Sequence, residues 1–229
     1  MNPSYEEYLE GTLKILKEGE KEKKKYYIDF LGKKFIVYPN VFSPKYFKDS
    51  EFFVKEMPIK KGEEFLEIGS GTGIISIFAV LKGASKVVSI DINKDAVANT
   101  RENARIHKVD SKVTVLRGDV YGPLPKDSKF DTIFWNTPFG YIENENISIL
   151  ERSVKDPYYK STKAFISGAK KFLKPNGHLL IGFSTTLGKF EIIEKYLLDA
   201  GFEVKLLKEI KSKEFYPVKF EIFEAKPLI

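Results

Sequence analysis

The stretch LEIGSGTG, residues 66–73, packs three glycines into five positions directly after a short apolar run. The run before it, EEFLEI, reads as a buried strand, and the residues after it, GIISIFAVLKG, read as a helix. Glycine permits a tight turn and lets a ligand approach the backbone closely. In an open parallel sheet, ligands bind beyond the carboxyl ends of the strands, where this loop falls. A dinucleotide site would show G-x-G-x-x-G and aim a helix N-terminus at a pyrophosphate. Here the spacing is G-x-G-x-G, and Glu67 stands two residues ahead of Gly69. A carboxylate repels a pyrophosphate and favours a cationic ligand.

Working outward, short apolar runs alternate with longer amphipathic stretches. KVVSID, KVTVLRGD, FDTIFWN and HLLIGFS read as further strands, and KDAVANTRENARIHK, YYKSTKAFISGAKKFLK and GKFEIIEKYLLDAG as helices. Such alternation implies an α/β fold with a mainly parallel sheet and helices on both faces. LKPNGH reads as a turn into the following strand, and Gly201 closes the last helix. FEVKLLKEI and FYPVKFEIFEAK pair as a C-terminal antiparallel hairpin. Residues 1–55 have a different character: a helix (PSYEEYLEGTLKILKEG), a hairpin turning at Leu31-Gly32, and a further helix entered near Asp49 or Ser50, either of which suits a cap. We therefore expect an N-terminal helix-and-hairpin extension over 1–55 and a ligand-binding domain over 56–229.

Two more acids end strands at the same edge. Asp91 closes VVSID, 18 residues after Gly73, where a carboxylate accepts from both hydroxyls of a ribose. Asp119, in RGDV, can accept from an adenine amine. Three acids at one sheet edge form a nucleoside site, and the fourth strand delivers WNTPFG to the same edge.

Together EIGSGTG, SIDIN, RGDV and Asn136-Thr137-Pro138-Phe139 resemble the class I S-adenosylmethionine-dependent methyltransferases, in order and spacing, over residues 61 to about 205. The resemblance implies a Rossmann-like, seven-stranded sheet with S-adenosylmethionine as cofactor. It places Glu67, Gly69, Ser70, Gly71 and Gly73 along the methionine end, Asp91 and Ile92 at the ribose and adenine edge, and Asp119 and Val120 on the adenine. N-T-P-F resembles the N-P-P-Y/F signature of enzymes that methylate planar nitrogens. That likeness makes Asn136, with Thr137, Pro138 and Phe139, the catalytic group: Asn136 and a backbone carbonyl hold the two N–H groups, and Phe139 stacks on the plane. Thr137 departs from the signature by standing where it has proline. The chain looks most like the release-factor glutamine methyltransferase (HemK-like) and methyltransferase small-domain group. VFSPKYFKDSEFF loosely resembles that group's upstream P-x-x-D-T stretch, which lines the methionine end and closes the acceptor pocket. The implied reaction is N-methylation of a glutamine side chain or an RNA base amine, with a ribosome-associated protein or RNA as macromolecular partner.

Composition sets outer bounds. The 229 residues carry a net charge of +6, and residues 151–229 hold fifteen basic against ten acidic side chains, which suits a nucleic-acid or ribosomal partner or a plain lysine-rich surface. Without cysteine there are no disulfides or thiolate metal sites, and no metal is expected. No apolar run is long enough to span a membrane, and the charged first residues do not read as a signal peptide, so the expected location is the cytoplasm. His107 and His178 have no matching partners in the sequence and read as surface or helix-end residues. Gly140–Pro157 shows little periodicity and reads as a lid over the acceptor pocket. Three alternatives are a non-catalytic partner subunit of the same fold, a small-molecule methyltransferase, and a nicotinamide-dependent oxidoreductase; the glycine spacing and the lack of a Tyr-x-x-x-Lys context disfavour the last.

Overall fold

The computed structural model describes residues 4–212 and 218–228. Its frame is a seven-stranded sheet built from β3 (Glu64–Ile68), β4 (Lys86–Asp91), β5 (Val113–Arg117), β6 (Phe130–Asn136), β9 (Leu173–Phe183), β10 (Phe202–Lys211) and β11 (Lys219–Pro227). The spatial order is β10-β11-β9-β6-β3-β4-β5. β3 pairs in parallel with β4 and β6, so the chain reverses direction across the sheet at β3 and opens a crevice there. β11 runs antiparallel between β9 and β10, completing the C-terminal hairpin. Residues 215–217, at the start of the expected last strand, lie outside the described residues.

Side-chain alternation explains how both faces are covered. Along β3 and β6, Phe65 and Phe134 point to one core, while Leu66, Ile68, Ile133 and Trp135 point to the other. The first core receives α2 (Asp49–Glu56), α3 (Ile74–Leu81) and α4 (Lys94–Ile106); the second receives α5 (Lys160–Gly168) and α6 (Phe190–Asp199). No helix among the described residues is long and apolar enough to cross a membrane.

Three local expectations are corrected. LKPNGH does not break the chain before a strand: β9 runs through it, with Asn176 at φ +65° and a register jump from the Phe130–Leu173 pair to Thr132–His178. His178 is therefore buried within the sheet rather than at the surface, and burial lowers its proton affinity. Neither Asp49 nor Ser50 caps α2; Lys48 holds the cap position without a side-chain bond, and Asp49 turns inward. Within Gly140–Pro157, the stretch read as a lid, β7 (Gly140–Ile142) and β8 (Lys155–Pro157) pair in parallel.

The first residues position the site from outside. α1 (Tyr5–Gly19) begins with a capping box between Ser4 and Glu7. It buries Leu16 against Leu150 and Val154, so it bridges to the β7–β8 segment. β1 (Tyr26–Phe30) and β2 (Lys33–Val37) turn through Leu31 and Gly32 at φ +48° and +72°, as a tight hairpin requires. Two buried amides of α4 stitch β2 to the glycine loop. Asn103 accepts from Ile36 N and donates to Ile36 O and Thr72 O, while Asn99 donates to Ile36 O and accepts from Tyr38 N.

Candidate active site

A cavity of about 1010 Å³ opens past the carboxyl ends of β3, β4 and β6. It is large enough to hold a nucleoside-sized ligand and a second reactant together. Gly69, Ser70 and Gly71 line it, as do Asp91, Ile92, Asp119, Val120 and the whole of Asn136–Phe139. Gly71, at φ +52°, is where close backbone approach matters: a Cβ there would meet nothing within 4 Å and would project into open space. Gly73 does not line the cavity. It caps α3 at φ +78°, and a Cβ would fall 2.7 Å from Thr100 Cγ2, so its smallness serves packing against α4. Sequence spacing cannot separate these two uses of glycine.

The acids define the electrostatics. Between residues 67 and 120 the lining includes Glu67, Asp91 and Asp119 and no lysine or arginine. Glu67 is buried on the face of β3 that meets α3 and accepts from the N–H of Ser76 at 3.0 Å and from its hydroxyl. Burial dominates these bonds and raises its pKa to about 8. Asp91 accepts from Gly71 N and Asn93 N, each at 2.8 Å, which ties the glycine loop to the end of β4. Burial also raises its pKa. Asp119 is exposed at the rim, and Ile92 leaves 43% of its surface uncovered beside the acids. Among the described residues no group of three potential ligands is placed to hold a metal ion.

The raised Glu67 pKa has a testable consequence for stability. Between pH 4.5 and about 8 the folded protein holds a proton that the unfolded chain has released. The contribution of Glu67 to folding is thus fully present below pH 4.5 and declines as pH rises through 8. Glu67→Gln should lose this component of the slope. In chemical denaturation at several pH values, the variant gains stability relative to the parent between pH 5 and 8, on the order of 1 kcal/mol or more. A pH-independent difference would contradict the assignment.

Asn136 ends β6 at the cavity. Its Nδ2 donates to Asp49 Oδ2 at 2.8 Å, and its Oδ1 is buried without a partner. Thr137 accommodates the loss of proline: its N–H and its hydroxyl both donate to Gly182 O, at 3.1 and 3.0 Å. The extra backbone donor is therefore satisfied by β9. Phe139 packs edge-on against Phe183, with centroids 5.7 Å apart, and its carbonyl accepts from the Tyr159 hydroxyl. That bond, and a second from Lys189 N to the Tyr159 oxygen, pin the end of the motif.

α1 contributes lining residues that the sequence does not signal, Tyr8, Gly11 and Ile15, while Arg152 and Asp156 come from the segment read as a lid. The amphipathic pattern of α1 predicts a helix but carries no information on where it docks. Asp49 was signalled only by its loose likeness to an upstream motif, with nothing to indicate its bond to Asn136.

The family model described as the methyltransferase small domain matches residues 32–205. A Methanocaldococcus jannaschii protein, provisionally named protein N5-glutamine methyltransferase, is 32% identical over 188 residues, covering 80% of this chain and 92% of that protein. The release factor glutamine methyltransferase of Aquifex aeolicus is 30% identical over 226 residues, covering 89% of this chain and 77% of its own length. Among solved structures, the T. thermophilus 16S rRNA N2 G1207 methyltransferase, crystallised with AdoMet and guanosine, superposes with a TM-score of 0.60 at 18% identity. It covers 90% of this chain and 50% of that one, and at that identity it speaks to the fold.

Proposed function

The chain belongs to the methyltransferase small domain family, and from that premise we propose that it methylates the side-chain amide nitrogen of a glutamine in a protein substrate. Its cofactor is S-adenosylmethionine, which supplies a methyl group on a positively charged sulfur. The residues fit this group: the lining between residues 67 and 120 carries the carboxyl groups of Glu67, Asp91 and Asp119 and no lysine or arginine, Gly71 leaves room for close approach, and Ile92 offers an uncovered apolar surface at the rim. In this reading Asp91 accepts from the ribose hydroxyls, Ile92 and Val120 flank the adenine, Asp119 accepts from its amine, and Glu67 and the loop 69–71 line the methionine end.

The observation that carries the acceptor is the buried, unpartnered Asn136 Oδ1. A buried carbonyl oxygen without a donor costs about 1–3 kcal/mol, which a ligand N–H would recover. A planar amide nitrogen is a weak nucleophile because its lone pair is delocalised. Asn136 Oδ1 takes one N–H, a backbone carbonyl of the motif takes the other, and the lone pair is turned toward the methyl group. Phe139 flanks the plane of the amide. Positioning and preorganised charge supply most of the acceleration, so the chain needs no strong base before transfer. The glutamine reading draws on the two relatives above, which are named for that acceptor.

The test is transfer of labelled methyl from S-adenosylmethionine into a fraction containing ribosomes and release factors, followed by protease or nuclease digestion. Label made soluble by protease alone supports the reading. Label made soluble by nuclease would replace it with an RNA base amine, and no transfer to macromolecules would point to a small-molecule acceptor or a non-catalytic chain.

A further inference from the structure

Among the described residues, five side-chain atoms are buried without a hydrogen-bond partner, and two of them, Asn136 Oδ1 and Asp49 Oδ1, belong to bonded residues that line the cavity. The remaining three belong to Glu63, His107 and His178, none of which lines the cavity. Asp49 opens α2 and lies 87 residues from Asn136 in sequence, yet its Oδ2 accepts the Asn136 amide at 2.8 Å. It is 3% exposed, caps no helix and forms no ion pair among the described residues. Burial pushes its pKa upward, and the Asn136 bond opposes that shift. No charged side chain acts on it appreciably, although Glu67 and Asp91 line the same cavity and Lys48 precedes it in the chain.

The chemistry of the pair is asymmetric. An asparagine amide has nearly the same shape in its two flipped orientations, but they offer opposite hydrogen-bonding groups. A carboxyl oxygen that carries no proton can only accept, and Asp49 Oδ2 accepts from the NH₂ end, which leaves the carbonyl end without a protein partner. In the flipped orientation, two donors would face the two N–H groups of a planar nitrogen, and neither could bond. The 2.8 Å bond holds the side chain in one orientation before the acceptor arrives.

We infer that Asp49 is a positioning residue: it holds the Asn136 amide with Oδ1 facing the acceptor nitrogen. This inference rests on the reading of Asn136 as the acceptor's hydrogen-bond partner. Asp49 acts through Asn136 rather than on the cofactor, which distinguishes it from the acids that end β3 and β4.

The experiment is a double-mutant cycle on the full chain, joined to a measurement that needs no acceptor. Asp49→Ala should lower kcat by about 10- to 100-fold, the size expected when a buried amide donor is left without its partner. The KM for cofactor should stay within about 2-fold, because binding of the ground state is unaffected. Asp49→Asn retains an oxygen that can accept from Nδ2 and should restore kcat to within about 5-fold of the parent. In an Asn136→Ala background, Asp49→Ala should cost less than about 2-fold, since the group it positions is gone. Equal losses in both backgrounds, or failure of Asp49→Asn to rescue a protein with parental melting behaviour, would overturn the inference. In parallel, NMR of the Asn136 side-chain NH₂ in the apoprotein should show slow exchange with water in the parent and Asp49→Asn, and fast exchange in Asp49→Ala. Equal exchange in parent and Asp49→Ala would overturn positioning whatever the acceptor proves to be. A parent inert toward glutamine would instead count against the acceptor reading and leave the NMR result to decide the role of Asp49.

Discussion

Asn136→Ala should reduce methyl transfer by ~100-fold or more, the scale seen when one preorganised transition-state hydrogen-bonding group is removed. The side chain ends β6, half-buried, with its oxygen unpartnered and its nitrogen held by Asp49. Truncation removes the acceptor for the substrate N–H and leaves Asp49 Oδ2 without its donor. Cofactor affinity should stay within about 3-fold, because the strand-end acids are untouched and distant interactions are close to additive. Single-turnover kinetics and calorimetric titration with S-adenosylhomocysteine separate the two effects. Full activity in the variant would exclude the nitrogen-orienting role.

Asp91→Ala should produce the opposite division, weakening the cofactor by about 100-fold while sparing the chemical step under saturating conditions, since hydrogen bonds to a charged group contribute about 1.5–3 kcal/mol each. The loss has two sources. One is the pair of bonds proposed to the ribose hydroxyls. The other is internal: Asp91 also accepts from Gly71 N and Asn93 N, so its removal frees the glycine loop from β4. Asp91→Asn distinguishes them, since an asparagine can keep one backbone bond but offers only one accepting oxygen. Titration calorimetry with S-adenosylhomocysteine reads the affinity directly. Unchanged affinity in Asp91→Ala would remove Asp91 from the cofactor site.

The elements that were legible in the sequence are those whose signal is local. FDTIFWN becomes β6 over Phe130–Asn136 because a strand covered on both faces carries consecutive apolar residues, here Ile133-Phe134-Trp135. The glycines, Asp91 and the N-T-P-F motif stand at strand ends, so recognising the strands brings them to one edge. What remained hidden depends on contacts between distant segments. Asn99 and Asn103 look like ordinary polar positions on a helix, yet they bind β2 and the glycine loop. Asp49 resembled a helix cap because it precedes an amphipathic run, and its partner is visible only after α2 folds against the sheet. β7 and β8 span three residues each, too short for a period-two pattern to register. The LKPNGH segment reads as a break because Pro and Gly favour turns, but β9 absorbs it as an irregularity and resumes pairing at His178.

Acid hydrolysis distinguishes methylation at the amide nitrogen of glutamine from methylation at a basic side chain. Protein labelled from methyl-tritiated S-adenosylmethionine would be purified, hydrolysed in strong acid and made alkaline, and its label separated into volatile and non-volatile fractions. An N-methylated glutamine amide is cleaved to glutamate and methylammonium, so the label should leave the alkaline solution as volatile methylamine. Label retained in methylated lysine, arginine or histidine would contradict it.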